Sequence, residues 1–169
     1  LISGGMMFFE DALNVEIGDL VWDDWDGDGI QEAGEAGISN VLVQVYDRHT
    51  NLAAVARTDA NGTWLARGIG PGTFLVHYAL PAGYQFSPRY AGTNPAVDSN
   101  AETNTGWSDA TVLGSGTTNL TLDAGMHLTP GDLRLGKSVL PTDAKKGDPV
   151  VYALTLTNAG LEAVSLAQV

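Results

Sequence analysis

The sequence predicts an all-β fold, a sandwich of short strands followed by part of a second one. Three observations carry this. Glycine accounts for 21 of the 169 residues, and turn signals recur about every eight to twelve residues. The runs between turns alternate apolar and polar side chains with a period of two. Long apolar stripes at helical spacing are absent.

Residues 1–15 read as a leading segment, with Met6-Met7-Phe8-Phe9 apolar but not alternating. A first strand is predicted over 17–22, with Ile17, Asp19 and Val21 on one face and Gly18, Leu20 and Trp22 on the other. An acidic loop follows over 23–37. Residues 38–46 alternate, placing Val41, Val43 and Val45 together, and 52–58 form the next strand. Asp59-Ala60-Asn61-Gly62 is a hairpin turn, because Asn-Gly tolerates the positive φ that a tight turn needs. Residues 63–67 pair back, and 68–72 make a glycine-rich turn. The strand over 73–80 sets Phe74, Val76, Tyr78 and Leu80 on one face. Residues 81–107 are long and polar, and a loop of that length inside a compact domain is usually functional or pinned. Strands over 110–113 and 117–128 close the domain. Residues 129–131 are a linker. A second unit, 132–169, carries strands over 133–139 and 150–157, too few to close a sandwich.

Charge narrows the function. The 20 acidic residues outnumber the 8 basic ones, for a net charge of -12. Such a surface repels nucleic acid and anionic membranes and attracts cations. Cysteine is absent, which excludes disulfides and thiolate metal sites. No run reaches the roughly 18 apolar residues of a membrane span. The first residue is Leu1 and no secretory signal is visible, so the sequence reads as a processed chain or a piece of a longer one.

Residues 24–35, Asp-Trp-Asp-Gly-Asp-Gly-Ile-Gln-Glu-Ala-Gly-Glu, meet every constrained position of the EF-hand calcium loop. Calcium takes six to eight hard oxygens at about 2.3–2.6 Å. Asp24, Asp26 and Asp28 offer carboxylates on alternating residues, and Gly29 permits the sharp turn. Ile30 presents its backbone carbonyl and leaves its side chain free for the core. Glu32 is placed to ligate through water, and Glu35 closes the site with both oxygens. A plain solvated acidic turn explains this density less well, because unpaired carboxylates repel one another. The flanks alternate like strands, and Gly34 and Gly37 oppose an exiting helix. A structural clamp between strands is expected, not a sensor that opens a groove.

The stretch 17–24, the acidic loop and Gly37-Ile38-Ser39-Asn40-Val41 resemble the B-repeat of Sdr-type surface adhesins, the SdrD B-like domain of the collagen-adhesin B-type group. Residues 58–64, Pro81-Ala82-Gly83-Tyr84, Asp98-Ser99-Asn100 and Leu122-Asp123-Ala124-Gly125 match that family in the same order, over about residues 16–128. The resemblance implies a calcium-binding β-sandwich, immunoglobulin-like or prealbumin-like, that serves as a rigid spacer on a bacterial cell surface. It also implies further calcium ligands: Asp98 and Asn100 fall on the matching motif, and Asp19, Asp23 and Asp59 are weaker contributors. Residues 132–160 are similar to the first half of an immunoglobulin-like repeat of unknown function found in tandem in bacterial wall proteins.

Other features carry less. His49, His77 and His127 lack catalytic or metal-ligand spacing to one another, and 68–72 lack the helix a phosphate loop opens. Trp22 and Trp64 are expected in the core. Trp25 and Trp107 could stack on each other or on a sugar. The leading expectation is therefore a calcium-rigidified structural module of an extracellular or secreted surface protein, partnered by calcium and by neighbouring modules or fibre subunits. An adhesin domain for a glycan or protein ligand, or an accessory domain of a secreted enzyme, are the alternatives, and nothing points to a catalytic centre. The Met6–Phe9 segment is a candidate strand donor to a neighbouring copy.

Many relatives of the resembled group carry a Lys–Asn isopeptide cross-link, but the first lysine here is Lys137. The fragment 1–136 is therefore expected to show its full calculated mass. A deficit of one ammonia would contradict that.

Overall fold

The computed structural model describes residues 14–129, 133–140 and 143–158. The Met6–Phe9 donor segment, Pro130 and Gly131 of the linker, and the tail beyond Asn158 lie outside the described residues. The chain divides into two compact units, Leu1–Leu128 and Thr129–Val169.

The first unit is a two-sheet β-structure. Its strands are β1 (Val15–Asp23), β2 (Leu42–Asp47), β3 (Leu52–Arg57), β4 (Thr63–Ile69), β5 (Gly72–Tyr78), β6 (Tyr84–Phe86), β7 (Thr111–Leu113), β8 (Thr118–Asn119) and β9 (Ala124–Leu128). One sheet has the order β4-β1-β9-β6, with β8 also on β1; the other has the order β3-β2-β5-β7. Alternation dictates the core. Val43 and Val45 of β2 and Phe74, Val76 and Tyr78 of β5 turn inward to meet Val15, Ile17 and Val21 of β1, Trp64 and Ala66 of β4, and Ala124 and Met126 of β9. A fully buried side chain of the valine or isoleucine kind contributes about 1.5–3 kcal/mol. The Tyr78 hydroxyl donates to the Leu122 carbonyl at 2.6 Å, which satisfies the polar tip of a buried ring.

Strand β1 pairs antiparallel with β4 and parallel with β9, through Val21↔Ala124, Trp22↔Gly125 and Asp23↔Met126. Because β1 and β9 run the same way, this unit begins its first strand at one end and finishes its last strand at the other. Trp22 is buried on the far face of β1 from Val21, packed where Gly125 leaves room for its ring.

Several predicted boundaries move. The strand expected over 38–46 starts only at Leu42, because Ile38 to Val41 are tied down by other bonds: the Thr58 hydroxyl donates to Ile38 O at 2.7 Å and accepts the Val41 N–H at 2.8 Å. Strand β5 ends at Tyr78, so Leu80 is 44% exposed instead of joining the apolar face. The closing strand over 117–128 breaks into β8 and β9, because the backbone of Asp123 is bonded to Asn100.

The long segment 81–107 contains β6 and is pinned to β5 at its C-terminal end. Tyr78 N–H donates to Gly106 O at 3.0 Å, Ser108 N–H donates to Val76 O at 2.8 Å, and Val76 N–H donates to the Ser108 hydroxyl at 2.9 Å. Trp107 lies 4.7 Å from the His77 ring and 5.1 Å from the Tyr46 ring, on the outer face of the β2/β5 sheet. Trp25 is 88% exposed on the acidic loop. The pairing of these two tryptophans does not occur, since Trp107 already has His77 and Tyr46 for neighbours.

In the second unit β10 (Leu133–Leu140) and β11 (Val151–Asn158) form an antiparallel pair in unbroken register. Leu135, Leu154 and Leu156 share one exposed face of it with Tyr152, over which Lys137 sits at 4.6 Å.

Gly37 and Gly62 meet where the acidic loop returns to the first sheet. A Cβ on Gly37 would overlap the Asn61 carbonyl, and Gly62 has a φ of 80°. Gly37→Ala should cost about 1–3 kcal/mol by denaturant unfolding, as overpacking does. Gly70→Ala, with nothing within 4 Å of its Cβ, should stay within about 0.5 kcal/mol of the parent.

Candidate metal centre

The acidic loop grows directly out of the β1–β9 seam. Asp24 N–H donates to Met126 O at 2.9 Å, Asp23 N–H donates to Ala36 O at 2.8 Å, and Trp22 bridges Gly37. These bonds fix both ends of the loop. Within it the carboxylates fold the backbone around themselves. Asp24 is fully buried. Its Oδ1 accepts Gly27 N–H at 2.8 Å and Asp28 N–H at 3.2 Å, and its Oδ2 accepts Gly29 N–H at 2.8 Å. Asp26 Oδ1 accepts Asp28 N–H at 3.3 Å, and Asp28 Oδ1 accepts Ile30 N–H at 2.8 Å. Glu35 reaches back, with Oε1 accepting Trp25 N–H and Oε2 accepting Glu32 N–H, both at 2.9 Å. Gly29 has a φ of 85°, and a Cβ there would overlap the Pro88 carbonyl; only glycine fits this turn.

The result is two overlapping carboxylate groups. Oxygens of Asp24, Asp26 and Asp28 lie within 4.8 Å of one another, and so do oxygens of Asp26, Glu32 and Glu35. Asp26 belongs to both. Among the described residues the ion pairs are Arg67 with Glu16 and Arg89 with Asp109, away from this loop. The crowding has an electrostatic signature. The Glu32 carboxyl is pushed up first by Asp28 and next by Asp26, although it is exposed. Asp23, just outside, is raised by burial and by Asp24, with His127 partly offsetting them. The donor set is all hard oxygen, and the glycine turn wraps it as a calcium loop requires, so the residues present fit that ion.

Not every candidate joins the cluster. Ile30 is not in the core. Its backbone bridges Asp98, and its side chain extends toward Gly92 of the long segment. Asp98, expected as a ligand beyond the first loop, lies in neither carboxylate group, and Asn100 is two residues on. They belong to a strip, residues 97–100, that ties the loop to β9. Gln31 N–H donates to Val97 O at 2.7 Å and Ser99 N–H to Gly29 O at 3.1 Å; Gly125 N–H in turn donates to the Ser99 hydroxyl at 3.2 Å. The Asn100 carboxamide oxygen accepts Asp123 N–H at 2.7 Å, so it holds β9. Burial raises the Asp98 carboxyl. Asp59 shapes the hairpin turn, its Oδ1 accepting Asn61 N–H at 2.8 Å and Thr63 N–H at 3.0 Å. Asp19 lies against Asp123, which sequence reasoning treated only as part of a motif. Asp19 sits in β1 and Asp123 far along the chain before β9, so no local pattern joins them.

Comparison with known proteins agrees with this arrangement. Residues 15–126 match the SdrD B-like domain family. The chain is 37% identical over 123 residues to serine-aspartate repeat-containing protein F of Staphylococcus epidermidis, covering 73% of this chain and 7% of that protein. It is 37% identical over 130 residues to serine-aspartate repeat-containing protein C of Staphylococcus aureus, covering 76% of this chain and 13% of that protein. Among solved structures, GBS52, the minor pilin of Streptococcus agalactiae, is similar at a TM-score of 0.43 and 16% identity, over 70% of this chain and 47% of that one. The family match over residues 15–126 and the two staphylococcal relatives decide it: the chain belongs to the SdrD B-like domain family.

Proposed function

We propose that this chain is a structural module of an extracellular surface protein, a spacer stiffened by calcium at the acidic loop. The observation that carries the reading is the convergence of five carboxylates, with no basic side chain paired to them among the described residues. Asp24, Asp26, Asp28, Glu32, Glu35 and the Ile30 carbonyl would hold the ion. Calcium supplies charge neutralisation there and takes no part in a reaction. The loop's attachment to β9 and to the 97–100 strip gives neutralisation a mechanical consequence, because it closes the end of the sandwich from which the chain leaves.

The parallel β1–β9 pair supports the spacer role. Modules strung in series through such ends would load this pair lengthwise, so that its hydrogen bonds share the load. The staphylococcal relatives are much longer proteins, of which this chain matches 7% and 13%. A module that makes up a small part of a long surface protein suits a stalk on a bacterial cell.

Calcium that binds only the folded state adds about 2.7 kcal/mol at a hundredfold excess over its dissociation constant. Chelator should therefore lower the melting temperature, and an unchanged melting curve would sink the reading. Two substitutions separate ion binding from loop architecture. Asp26→Ala should abolish the calcium increment yet leave stability in chelator within about 0.5 kcal/mol of the parent or above it, because it removes repulsion. Asp24→Ala should cost about 1–3 kcal/mol even in chelator, because three backbone N–H groups lose their acceptor. Equal losses for both in chelator would mean that the loop is an ordinary turn.

A further inference from the structure

The acidic loop follows the C-terminal end of β1. At the other end of that strand Val15 pairs with Ile69 of β4, so residue 14 emerges beside the glycine-rich turn 68–72. Two clefts meet at this turn. One, of about 470 Å³, is lined by the apolar Ala53, Ile69, Pro71 and Phe74 and by the cationic Arg48. The other, of about 530 Å³, is lined by Asn14 itself and by Arg67. Gly68 belongs to both. A Cβ on Gly68 or Gly70 would meet nothing within 4 Å, so the turn leaves open space on this side of the sandwich.

The charge here runs against that of the chain as a whole. Acidic residues outnumber basic ones by 20 to 8, yet none falls between Arg48 and Thr58. The Arg48 Nε–H donates to His49 Nε2 at 3.0 Å, and no carboxylate pairs with Arg48 among the described residues. Asp47, also in the cleft wall, has its carboxylate oxygens taken by His49 N–H, Asn51 N–H and the Asn51 carboxamide. Arg67 is paired with Glu16 at 3.0 Å. An apolar wall beside a cation without a carboxylate partner fits a peptide that is apolar and then acidic.

We propose that the occupant is this chain's own leading segment, with Met6–Phe9 in the 470 Å³ cleft against Ile69 and Phe74, and Glu10 or Asp11 facing Arg48. The order of residues matches. Met6-Met7-Phe8-Phe9 is followed at once by Glu10 and Asp11, four and three residues before Asn14. The reach suffices as well. An extended chain spans at most about 3.6 Å per residue, so Phe9 can lie up to about 18 Å from Asn14. The tether favours the same copy over a second one. A short linker sets an effective concentration on the order of millimolar, whereas two molecules of net charge -12 repel each other. Docking covers the end of the sandwich at which β1 begins and makes the leading segment part of the module.

The methionines provide the test. There are three, Met6, Met7 and Met126, and Met126 is fully buried in the core. In the full chain, carbon-13 labelled at its methionine methyls, nuclear Overhauser contacts should join the Met6 or Met7 methyl to Ile69 or Phe74. Arg48→Glu should weaken these contacts severalfold while the Met126 signal, the check on an intact core, stays in place. Copies deuterated except at their methionine methyls, mixed with ordinary copies, should show no such contact. Met6 and Met7 methyls at free-methionine positions, without contact to the cleft, would overturn the proposal. So would contacts that appear in the mixture, which would assign the segment to a second copy, or contacts that Arg48→Glu leaves at full strength. The spectrum of the parent decides the matter even if the variant fails to fold.

Discussion

The parallel pairing of β1 with β9 is the constraint on which the rest of the first unit depends. It joins the strand that opens the unit to the strand that closes it, across about a hundred residues of chain, through Val21↔Ala124, Trp22↔Gly125 and Asp23↔Met126. A pairing this distant in sequence gains nothing from local propensity and pays a large loop-closure entropy. It must be held by groups around it. The core supplies Val21, Ala124 and Met126, all fully buried. Trp22 packs the other face against Gly125. Asp24 extends the seam by one more bond, to Met126 O.

Polar chemistry gathers along the same seam. At its far end the acidic loop is anchored to β9 and to the 97–100 strip, so charge repulsion there pushes against the closure, and a cation there would reinforce it. Beside it Asp123 bonds to Leu20 and lies against Asp19, with Asn100 holding the Asp123 backbone. The two carboxyl groupings differ in physical kind. The loop carboxylates are mostly exposed and hydrogen-bonded to their own backbone. Of the inner two, Asp123 is buried and Asp19 only partly so.

What the sequence revealed, and what it hid, follows the range of the interactions. The loop was legible because its bonds run over at most ten or so residues, from Asp24 to Gly29 and from Glu35 to Trp25. Strand β1 was legible by alternation, with Ile17 and Val21 both fully buried. Trp22 and Trp64 were found as core residues for the same reason. Other expectations failed where a distant segment decides. Ile30 bridges Asp98 instead of entering the core, and Trp107 packs on His77 and Tyr46 instead of on Trp25. The bond from the Asp123 N–H to the Asn100 carboxamide oxygen, and the closeness of Asp19 to Asp123, had no sequence signal. Each of these is a contact across sheets or across the long segment, and period or spacing does not encode it.

The most direct test of the account is native-state hydrogen exchange with and without calcium, read at the amides of Asp24, Ser99, Asn100 and Gly125. These donate to Met126, Gly29, Asp123 and Ser99, and so report the closure of the seam around the acidic loop. The account predicts that calcium slows exchange at these amides well beyond its effect on β2 and β5 amides. Exchange that calcium leaves unchanged at all of them would contradict the claim that the acidic loop, by holding a cation, closes the sandwich.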